Sequence, residues 1–419
     1  NLAAGVATQI TLSTPPSASA ASGAVFAQQP VLQLRDDQGN AVSLAGITVT
    51  AAIASGAGGA LGGATQVQTA AAGTATFAGL SITGPTGPFT LSFSASGLTG
   101  TTSGTIAITA ATQLTITTQP SAAPQNGVVF PVQPVIQLRD ANGNAVGQAG
   151  VMVTAAIASG GGTLGTTLTA ATNAAGVATF TDLAITGVIG SRTLSFTSGG
   201  LTPVTSSVVN LAAGVATQIT LSSTPSATAA SSAAFAQQPV LQLRDAAGNA
   251  VSLASYTVTA AITAGSGTLG GATQVVTAAT GIATFAGLSI TGTIGTFTLS
   301  FTTPGLTGAS ASITLTPGAA TQLVLVTQPA GAASGVAFTQ QPVAQLRDAA
   351  GNNVNQSGTV VTAAINTGPT GLSGTLTATT NASGTATFTN LTLTGSGTRT
   401  LSFTSGALTS AISINVVVP

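Results

Sequence analysis

The side chains able to do chemistry in this 419-residue chain are few and of narrow type. Six Arg and six Asp are the only charged residues, and the chain contains no Lys, Glu, His, Cys or Trp. A Ser-His-Asp triad needs an imidazole, a thiol nucleophile needs Cys, and a tetrahedral zinc site needs His or Cys ligands. Six scattered Arg at net charge zero also form no basic stripe for a phosphate backbone. We therefore expect no catalytic residue, no cofactor, no nucleic-acid partner and no enzymatic activity.

Four of the six Asp share one sequence setting. Asp36, Asp140, Asp245 and Asp348 each end a Leu-Arg-Asp string and precede a Gly-Asn turn. Ca²⁺ binding is one interpretation, but Ca²⁺ takes six to eight oxygen ligands and each setting offers one or two carboxylates. The other is an Asx-type turn, in which the carboxylate accepts backbone N–H groups and glycine supplies a positive φ. We predict structural turns and no metal site.

The Arg that precedes each of these Asp must also have an interaction partner. These are Arg35, Arg139, Arg244 and Arg347. Neighbouring residues on a strand point to opposite faces, so each Arg is not expected to pair with the adjacent Asp. Either each Arg forms a salt bridge with another element of the same repeat, or it contacts a neighbouring chain, and we favour the same repeat.

The elements that position these residues come from a tandem repeat. The Leu-Arg-Asp strings are spaced 104, 105 and 103 residues apart, and each is followed by a Gly-x-Ala-Thr-Phe string. A longer period of about 208 residues makes repeats 1 and 3 alike and repeats 2 and 4 alike. We predict four immunoglobulin-like repeats at residues 1–110, 111–209, 210–317 and 318–419, and interpret the chain as a stretch of a longer array.

Apolar residues alternate with period two inside each repeat. In repeat 2 this predicts strands near 113–118, 130–139, 151–157, 163–171, 177–186, 192–197 and 204–211. About seven antiparallel strands in about 100 residues are typical of an immunoglobulin-like sandwich. The predicted fold class is all-β, with four tandem immunoglobulin-like antiparallel β-sandwich domains in an elongated array.

Phenylalanine placement supports a two-sheet core. Twelve of the fourteen Phe fall at three equivalent positions of the repeat, which we assign to the core: Phe26, Phe77, Phe93, Phe130, Phe180, Phe196, Phe235, Phe285, Phe301, Phe338, Phe388 and Phe403.

One further position alternates between repeats. At the start of the Leu-Ser-Phe strand, repeats 1 and 3 carry Phe89 and Phe297, whereas repeats 2 and 4 carry Arg192 and Arg399. This position shares a strand face with the core Phe but lies at the end of the strand, near one pole of the sandwich. We predict that these four residues form the junctions between successive repeats, with two alternating junction types.

The turn motif resembles a known family of repeats. Arg-Asp-Ala-Asn-Gly-Asn-Ala-Val at 139–146, followed by Val-Met-Val-Thr-Ala and by Gly-Val-Ala-Thr-Phe-Thr-Asp-Leu at 176–183, resembles the bacterial immunoglobulin-like repeats of invasin and intimin type surface proteins. The pattern recurs in all four repeats. The resemblance implies an extracellular or cell-surface rod in which most repeats are spacers and other domains bind the target.

The scarcity of charge suggests what the surface does. A neutral exterior opposes association weakly, and Lys on edge strands, a common protection against edge-to-edge pairing, is absent. We expect copies of the chain to associate laterally or end to end in a filament, fibre or sheath. The alternative is the spacer stalk of a cell-surface adhesin whose binding domain lies outside this chain. A glycan-binding module is a third hypothesis, weakened because Tyr256 and the Phe are the only aromatic residues.

Two expectations concern modification and membranes. The sequons at Asn355, Asn381 and Asn390 are what chance gives in a chain rich in Thr and Ser, so we expect O-linked rather than N-linked glycans. No run of about 18 apolar residues occurs, so we expect no transmembrane segment in this stretch.

Overall fold

The computed structural model describes residues 4–419, and every regular element in that range is a β-strand. The chain divides into two compact units, Asn1–Gly214 with repeats 1 and 2 and Val215–Pro419 with repeats 3 and 4. The prediction of an all-β fold is confirmed. Residues 1–3, which begin predicted repeat 1, lie outside the described residues. No helix between residues 4 and 419 is long and apolar enough to cross a membrane.

The strands of the first unit follow one plan in both repeats. In repeat 1 they are β1 (Gln9–Thr14), β2 (Ser19–Ala21), β3 (Val31–Arg35), β4 (Thr48–Ser55), β5 (Ala60–Gly62), β6 (Gln66–Gln68), β7 (Thr74–Thr76), β8 (Ser81–Thr83), β9 (Gly87–Ala95), β10 (Thr101–Thr102) and β11 (Ile106–Thr109). In repeat 2 they are β12 (Gln113–Thr118), β13 (Val135–Arg139), β14 (Met152–Ser159), β15 (Thr163–Gly165), β16 (Thr169–Ala171), β17 (Val177–Thr179), β18 (Ala184–Thr186), β19 (Gly190–Thr197), β20 (Val204–Thr205) and β21 (Val209–Leu211).

The second unit repeats this plan. In repeat 3 the strands are β22 (Gln218–Ser223), β23 (Thr228–Ala230), β24 (Val240–Arg244), β25 (Thr257–Ala264), β26 (Gly267–Gly270), β27 (Gln274–Val276), β28 (Ile282–Thr284), β29 (Ser289–Gly292), β30 (Gly295–Thr302) and β31 (Ala309–Thr316). In repeat 4 they are β32 (Gln322–Thr327), β33 (Val343–Arg347), β34 (Val360–Thr367), β35 (Leu372–Ser373), β36 (Thr377–Thr379), β37 (Thr385–Thr387), β38 (Thr392–Leu393), β39 (Gly397–Thr404), β40 (Ala411–Ile412) and β41 (Val416–Val418).

Each repeat is a sandwich of a small and a larger sheet. In repeat 3 the small sheet has the order β22-β24-β28 and the larger one the order β23-β31-β30-β25-β27, with β26 and β29 forming a separate pair. The pairings are antiparallel except that β23 runs parallel to β31, as β2 does to β11 in repeat 1. Short β2 and β23 therefore form one edge of the larger sheet.

Strand alternation sorts the side chains between the core and the surface. On β30 Leu299 and Phe301 are buried, whereas the neighbouring Ser300 faces outward and lies opposite Ala261 of β25. The twelve equivalent Phe are each at most 4% exposed. In each repeat two of them pack as an aromatic pair, with ring centroids 5.3 to 5.5 Å apart. Such a pair adds to the hydrophobic burial that holds the two sheets together.

The structure refines the sequence-derived strand and domain limits. Strand β12 has the predicted limits, but the predicted strand 204–211 is two strands, β20 and β21, which both pair with β19. Val209 and Leu211 are both buried in the core of repeat 2. The last strand of repeat 2 thus runs across the predicted boundary after residue 209 and ends at Leu211, and the domain limits themselves stay a prediction.

Candidate functional site at the repeat junctions

The Asp turns are dense hydrogen-bonding centres. In repeat 4 one carboxylate oxygen of Asp348 accepts the backbone N–H groups of Ala350 and Asn352, at 3.0 and 2.9 Å. The other accepts the side-chain amide of Asn352 at 2.9 Å and the backbone N–H of Gly318 at 2.8 Å. Gly351 supplies the left-handed conformation that closes the turn, with φ +83°.

The other three repeats build the same turn. The equivalent Asp of repeats 1 to 3 accept the corresponding backbone N–H groups and Asn amide, and all four Asp are at most 3% exposed. Asp36, Asp140, Asp245 and Asp348 thus lie in the turns that the sequence predicts. Residues 4–419 contain no cluster of three His, Cys, Asp or Glu able to hold a metal ion.

The hydrogen bonds favour the charged form of these carboxylates. The backbone N–H of Gly5, together with Asn40, holds the pKa of Asp36 below its ordinary value of 3.8. Burial by itself would raise the pKa of Asp140 and of Asp348, but hydrogen bonds outweigh it and lower both values. In Asp348 these bonds come from Asn352, Gly318 and Ala350. The turns are therefore anionic at neutral pH.

Each of three carboxylates also binds the segment that leads into its own repeat. The donor is the backbone N–H of Gly5 for Asp36 and of Gly318 for Asp348. For Asp140 it is instead the hydroxyl of Thr109, at 3.1 Å. The turn therefore orients the linker as well as its own loop.

Asn352 carries this network across the junction between repeats 3 and 4. Its side-chain N–H donates to the carbonyl oxygen of Gly292 at 2.9 Å, and its side-chain oxygen accepts the backbone N–H of Ile294 at 3.0 Å. Both partners lie in or beside the hairpin between β29 and β30 of the preceding repeat. Asn352 is 8% exposed, so these bonds are made largely away from water. One amide thus holds the two repeats together through backbone groups.

The junction between repeats 1 and 2 is built differently. Only three residues lie between Thr109 and Gln113, whereas five lie between the equivalent Thr316 and Gln322. Asn144, the counterpart of Asn352, is exposed and donates to Asp140 within its own turn. A groove of about 440 Å³ remains beside the turn, compared with about 180 Å³ at the other junction.

The Arg of the turn strings find partners inside their own repeats. Arg35 donates through Nε to the Thr11 hydroxyl at 2.8 Å and through Nη1 to the carbonyl oxygen of Gly39 at 2.7 Å. Arg139 and Arg244 make the equivalent pairs of bonds. The partners of these three Arg therefore lie in the same repeat, as favoured, but the contacts are hydrogen bonds to a hydroxyl and a carbonyl oxygen rather than the expected salt bridge. Among residues 4–419 the Nε of Arg347 is buried without a partner, because Val324 stands where the other repeats have Thr.

The predicted junction residues lie beneath the pole rather than at its surface. Phe89 and Phe297 are 1% exposed and pack against glycines of their own hairpins. Arg192 is 2% exposed and donates to the carbonyl oxygens of Gly161, Gly190 and Val188. These contacts are made within the residue's own repeat.

Arg399 is the fourth of the predicted junction residues. It is 1% exposed and donates to the carbonyl oxygens of Pro369, Thr394, Gly395 and Gly397, all within repeat 4. The pole is the predicted one, since the hairpin beside Phe297 is the one that Asn352 binds. All four side chains support the hairpin of their own repeat from inside, and their role at the junctions stays a prediction. Alternation of two junction types stays a prediction.

Sequence reasoning missed the Asn of the turns and a set of buried Gln. Gln137, for example, donates its side-chain amide to carbonyl oxygens of Leu138, Ala175 and Gly176 and so links strand β13 to the turn at residues 175–176 of repeat 2. Gln242 and Gln345 do the same in repeats 3 and 4. The signal available was recurrence of a polar residue at one position of every repeat.

Comparison with known proteins gives structural likeness only. No family model and no curated protein sequence matches the chain. Solved structures similar to it include bacterial invasin, described as integrin-binding, at 15% identity and a TM-score of 0.37, covering 98% of this chain and 79% of that one.

Two further solved structures are similar. The Escherichia coli adhesin FdeC has 19% identity and a TM-score of 0.32, with 73% of this chain and 98% of that chain covered. Yersinia pseudotuberculosis InvD has 17% identity and a TM-score of 0.28, with 74% and 98% covered. The sheets of the chain itself show that its repeats are tandem immunoglobulin-like β-sandwiches.

Proposed function

We propose that the chain is a structural protein of the bacterial cell surface whose repeats associate with copies of themselves in a filament, fibre or sheath. The observation that carries the proposal is the placement of charge. Of the twelve charged side chains, Asp37 alone is fully exposed, and the others are buried or half-buried. The exterior therefore offers almost no electrostatic repulsion between copies.

The composition of the exterior supports association. Exposed apolar side chains include Val276 at 58%, Val360 at 52% and Ile414 at 61%. They stand among Thr, Ser, Gln and Ala rather than among Lys and Glu. A surface of this kind hydrates less strongly than a charged one and favours contact with an equally neutral surface.

The second candidate is a spacer stalk for an adhesin. It is favoured by the Asn352 network, which fastens repeat 4 to the backbone of repeat 3 and would limit bending at that junction. A spacer needs such fastening, and a fibre subunit benefits from it equally. The two candidates differ in whether copies associate.

Sedimentation velocity of the full chain over a range of concentrations, with electron microscopy of the same samples, tests the proposal. We expect concentration-dependent species larger than one chain and ordered fibres or sheets. A variant with Val276→Lys and Val360→Lys is the charged counterpart and should associate less. Single unassociated rods at every concentration would contradict self-association and favour the stalk. Mass spectrometry of the native material tests O-linked glycans, which we propose as a modification of exposed Thr and Ser.

A further inference from the structure

We infer that copies associate through the edge strand β2 and the groove beside it, which takes up an extended backbone segment of a second copy. This inference rests on the proposed self-association and names the surface through which two copies would make contact. The occupant we propose is the same strand, Ser19–Ala21, of the second copy, added antiparallel about a two-fold axis. Such an isologous contact would continue the larger sheet of repeat 1 across two chains.

Strand β2 has one paired and one free edge. It is the end strand of its sheet and pairs only with β11, through contacts such as the Ala107 N–H on the Ala18 carbonyl and the Ser22 N–H on the Thr109 carbonyl. Backbone groups of alternate residues point to opposite edges of a strand, so those of Ser19 and the N–H of Ala21 point away from β11. No charged residue, proline or bulge protects this edge within Ser19–Ala21.

The groove lies along the same strand. Its walls are Ala20, Ala24 and Val25 on the repeat 1 side and Asn142 and Asn144 on the repeat 2 side. Val25 is 58% exposed. Asp140 also borders the groove, but its carboxylate is already occupied by the turn and by Thr109. Small apolar walls with two amides at the rim suit an uncharged strand.

The junction between repeats 3 and 4 has a smaller groove in a different place. At both junctions backbone closes on the residues just after the edge strand: a Cβ at Gly318 would overlap the carbonyl oxygen of Ser231, and a Cβ at Gly23 would overlap the carbonyl oxygen of Gly147. The groove of about 440 Å³ in repeats 1 and 2 runs along the edge strand itself, whereas the groove of about 180 Å³ in repeats 3 and 4 is lined by residues that follow β23.

The side-chain amide of Asn144, at the rim of the groove, also suits an extended backbone segment as the occupant. Asn352 binds one backbone C=O and one backbone N–H of the hairpin next to it. Asn144 occupies the equivalent position in repeat 2 and is exposed, with its side-chain N–H on Asp140. Its amide is thus available to a backbone segment placed in the groove. The carboxylate of Asp140 is already hydrogen-bonded to its turn and to Thr109. Apart from it, neither surface of the proposed contact carries net charge, so a second copy meets no electrostatic repulsion.

Two substitutions and their matched controls test the surface in the full chain. Ala21→Pro removes an N–H that points away from β11, and Val25→Lys places a charge in the groove. The controls are Ala230→Pro and Ala234→Lys, the equivalent positions in repeat 3, where the smaller groove does not run along the edge strand. In sedimentation velocity we expect the first pair to weaken association about tenfold or more and the controls to change it less than about twofold.

A single cysteine tests the register independently, since the chain has no other Cys. In the two-fold arrangement Ala20 faces Ala20 at a Cα separation of about 4.5 Å, within disulfide range, whereas the two copies of Ser19 lie further apart. We expect Ala20→Cys, which barely changes side-chain volume, to form disulfide-linked dimers faster than Ser19→Cys.

The outcomes separate the two proposals. A wild-type chain that stays monomeric overturns both self-association and this surface. A wild-type chain that associates, with Ala21→Pro and Val25→Lys no weaker than their controls, overturns the surface alone and leaves packing through the outer sheet faces. Equal or faster cross-linking of Ser19→Cys overturns the two-fold register.

Discussion

Restoring a missing hydrogen-bond partner should stabilise repeat 4. Arg347 Nε is buried without an acceptor, whereas the equivalent Arg244 donates through Nε to the Thr220 hydroxyl at 2.8 Å. Val324→Thr supplies that hydroxyl. An unsatisfied buried donor costs about 1 to 3 kcal/mol, and the lost methyl of a half-buried Val costs up to about 0.8 kcal/mol. We expect a net gain of about 1 kcal/mol in the free energy of local opening.

Hydrogen exchange of the backbone amides of β32 and β33 in the full chain measures this gain. Global denaturation of four linked repeats is not a two-state transition, whereas exchange reports opening locally. A gain of about 1 kcal/mol slows exchange about fivefold. Val326→Thr, at an exposed position two residues along the same strand, is the control and should change little, and Thr220→Val should accelerate exchange in repeat 3. Equal effects of Val324→Thr and Val326→Thr would refute the reasoning.

Two further predictions concern the buried charges. Asp348→Ala leaves the N–H groups of Gly318, Ala350 and Asn352 unpaired and should destabilise repeat 4 by about 3 to 4 kcal/mol, measured by exchange of β33. The folded pKa of Asp348 lies below 3.8, so the stabilisation by its carboxylate is present above that pH and is lost as the pH falls through the folded pKa. Asp348→Asn should therefore make stability less dependent on pH in acid denaturation followed by circular dichroism. An unchanged pH profile would contradict this. Arg399→Ala removes the donors for four carbonyl oxygens and should cost about 3 to 5 kcal/mol in exchange of β39, with Arg399→Lys recovering only part of it because an ammonium lacks the planar fork. Full recovery by Lys would contradict a role for the fork.

Periodicity predicts the sheets because it is a local property of the chain. The Leu-Ser-Phe pattern places Leu299 and Phe301 on one face wherever the strand pairs, so the core follows from the sequence. The turn Asp are predictable for the same reason, since an Asx turn involves residues within four positions.

The junctions were less predictable because they depend on geometry between repeats. Asn144 and Asn352 follow identical Asp-x-x-Gly strings, yet one is exposed and the other binds the preceding repeat. Linker length distinguishes them, and its effect appears only when both repeats are placed. Likewise, Arg399 and Phe297 share a strand position, but alternation alone does not reveal that hairpin carbonyl oxygens surround the Arg and glycines the Phe.

The few charged side chains of the chain lie mainly away from its surface, so the exterior is almost neutral. Arg occurs where a planar fork meets several oxygens, as Arg399 does with backbone carbonyls, and Asp occurs where a short carboxylate reaches N–H groups of its own turn, as Asp348 does. Glu is one methylene longer and more flexible than Asp, and Lys lacks the planar fork of Arg, so neither fits these tasks as well. Charge in this chain thus satisfies buried backbone groups rather than hydrating the surface. In the proposed self-association, contact between copies would therefore be decided by shape and by unpaired backbone at sheet edges, which is why we place it at the short edge strand β2 rather than at a charged patch.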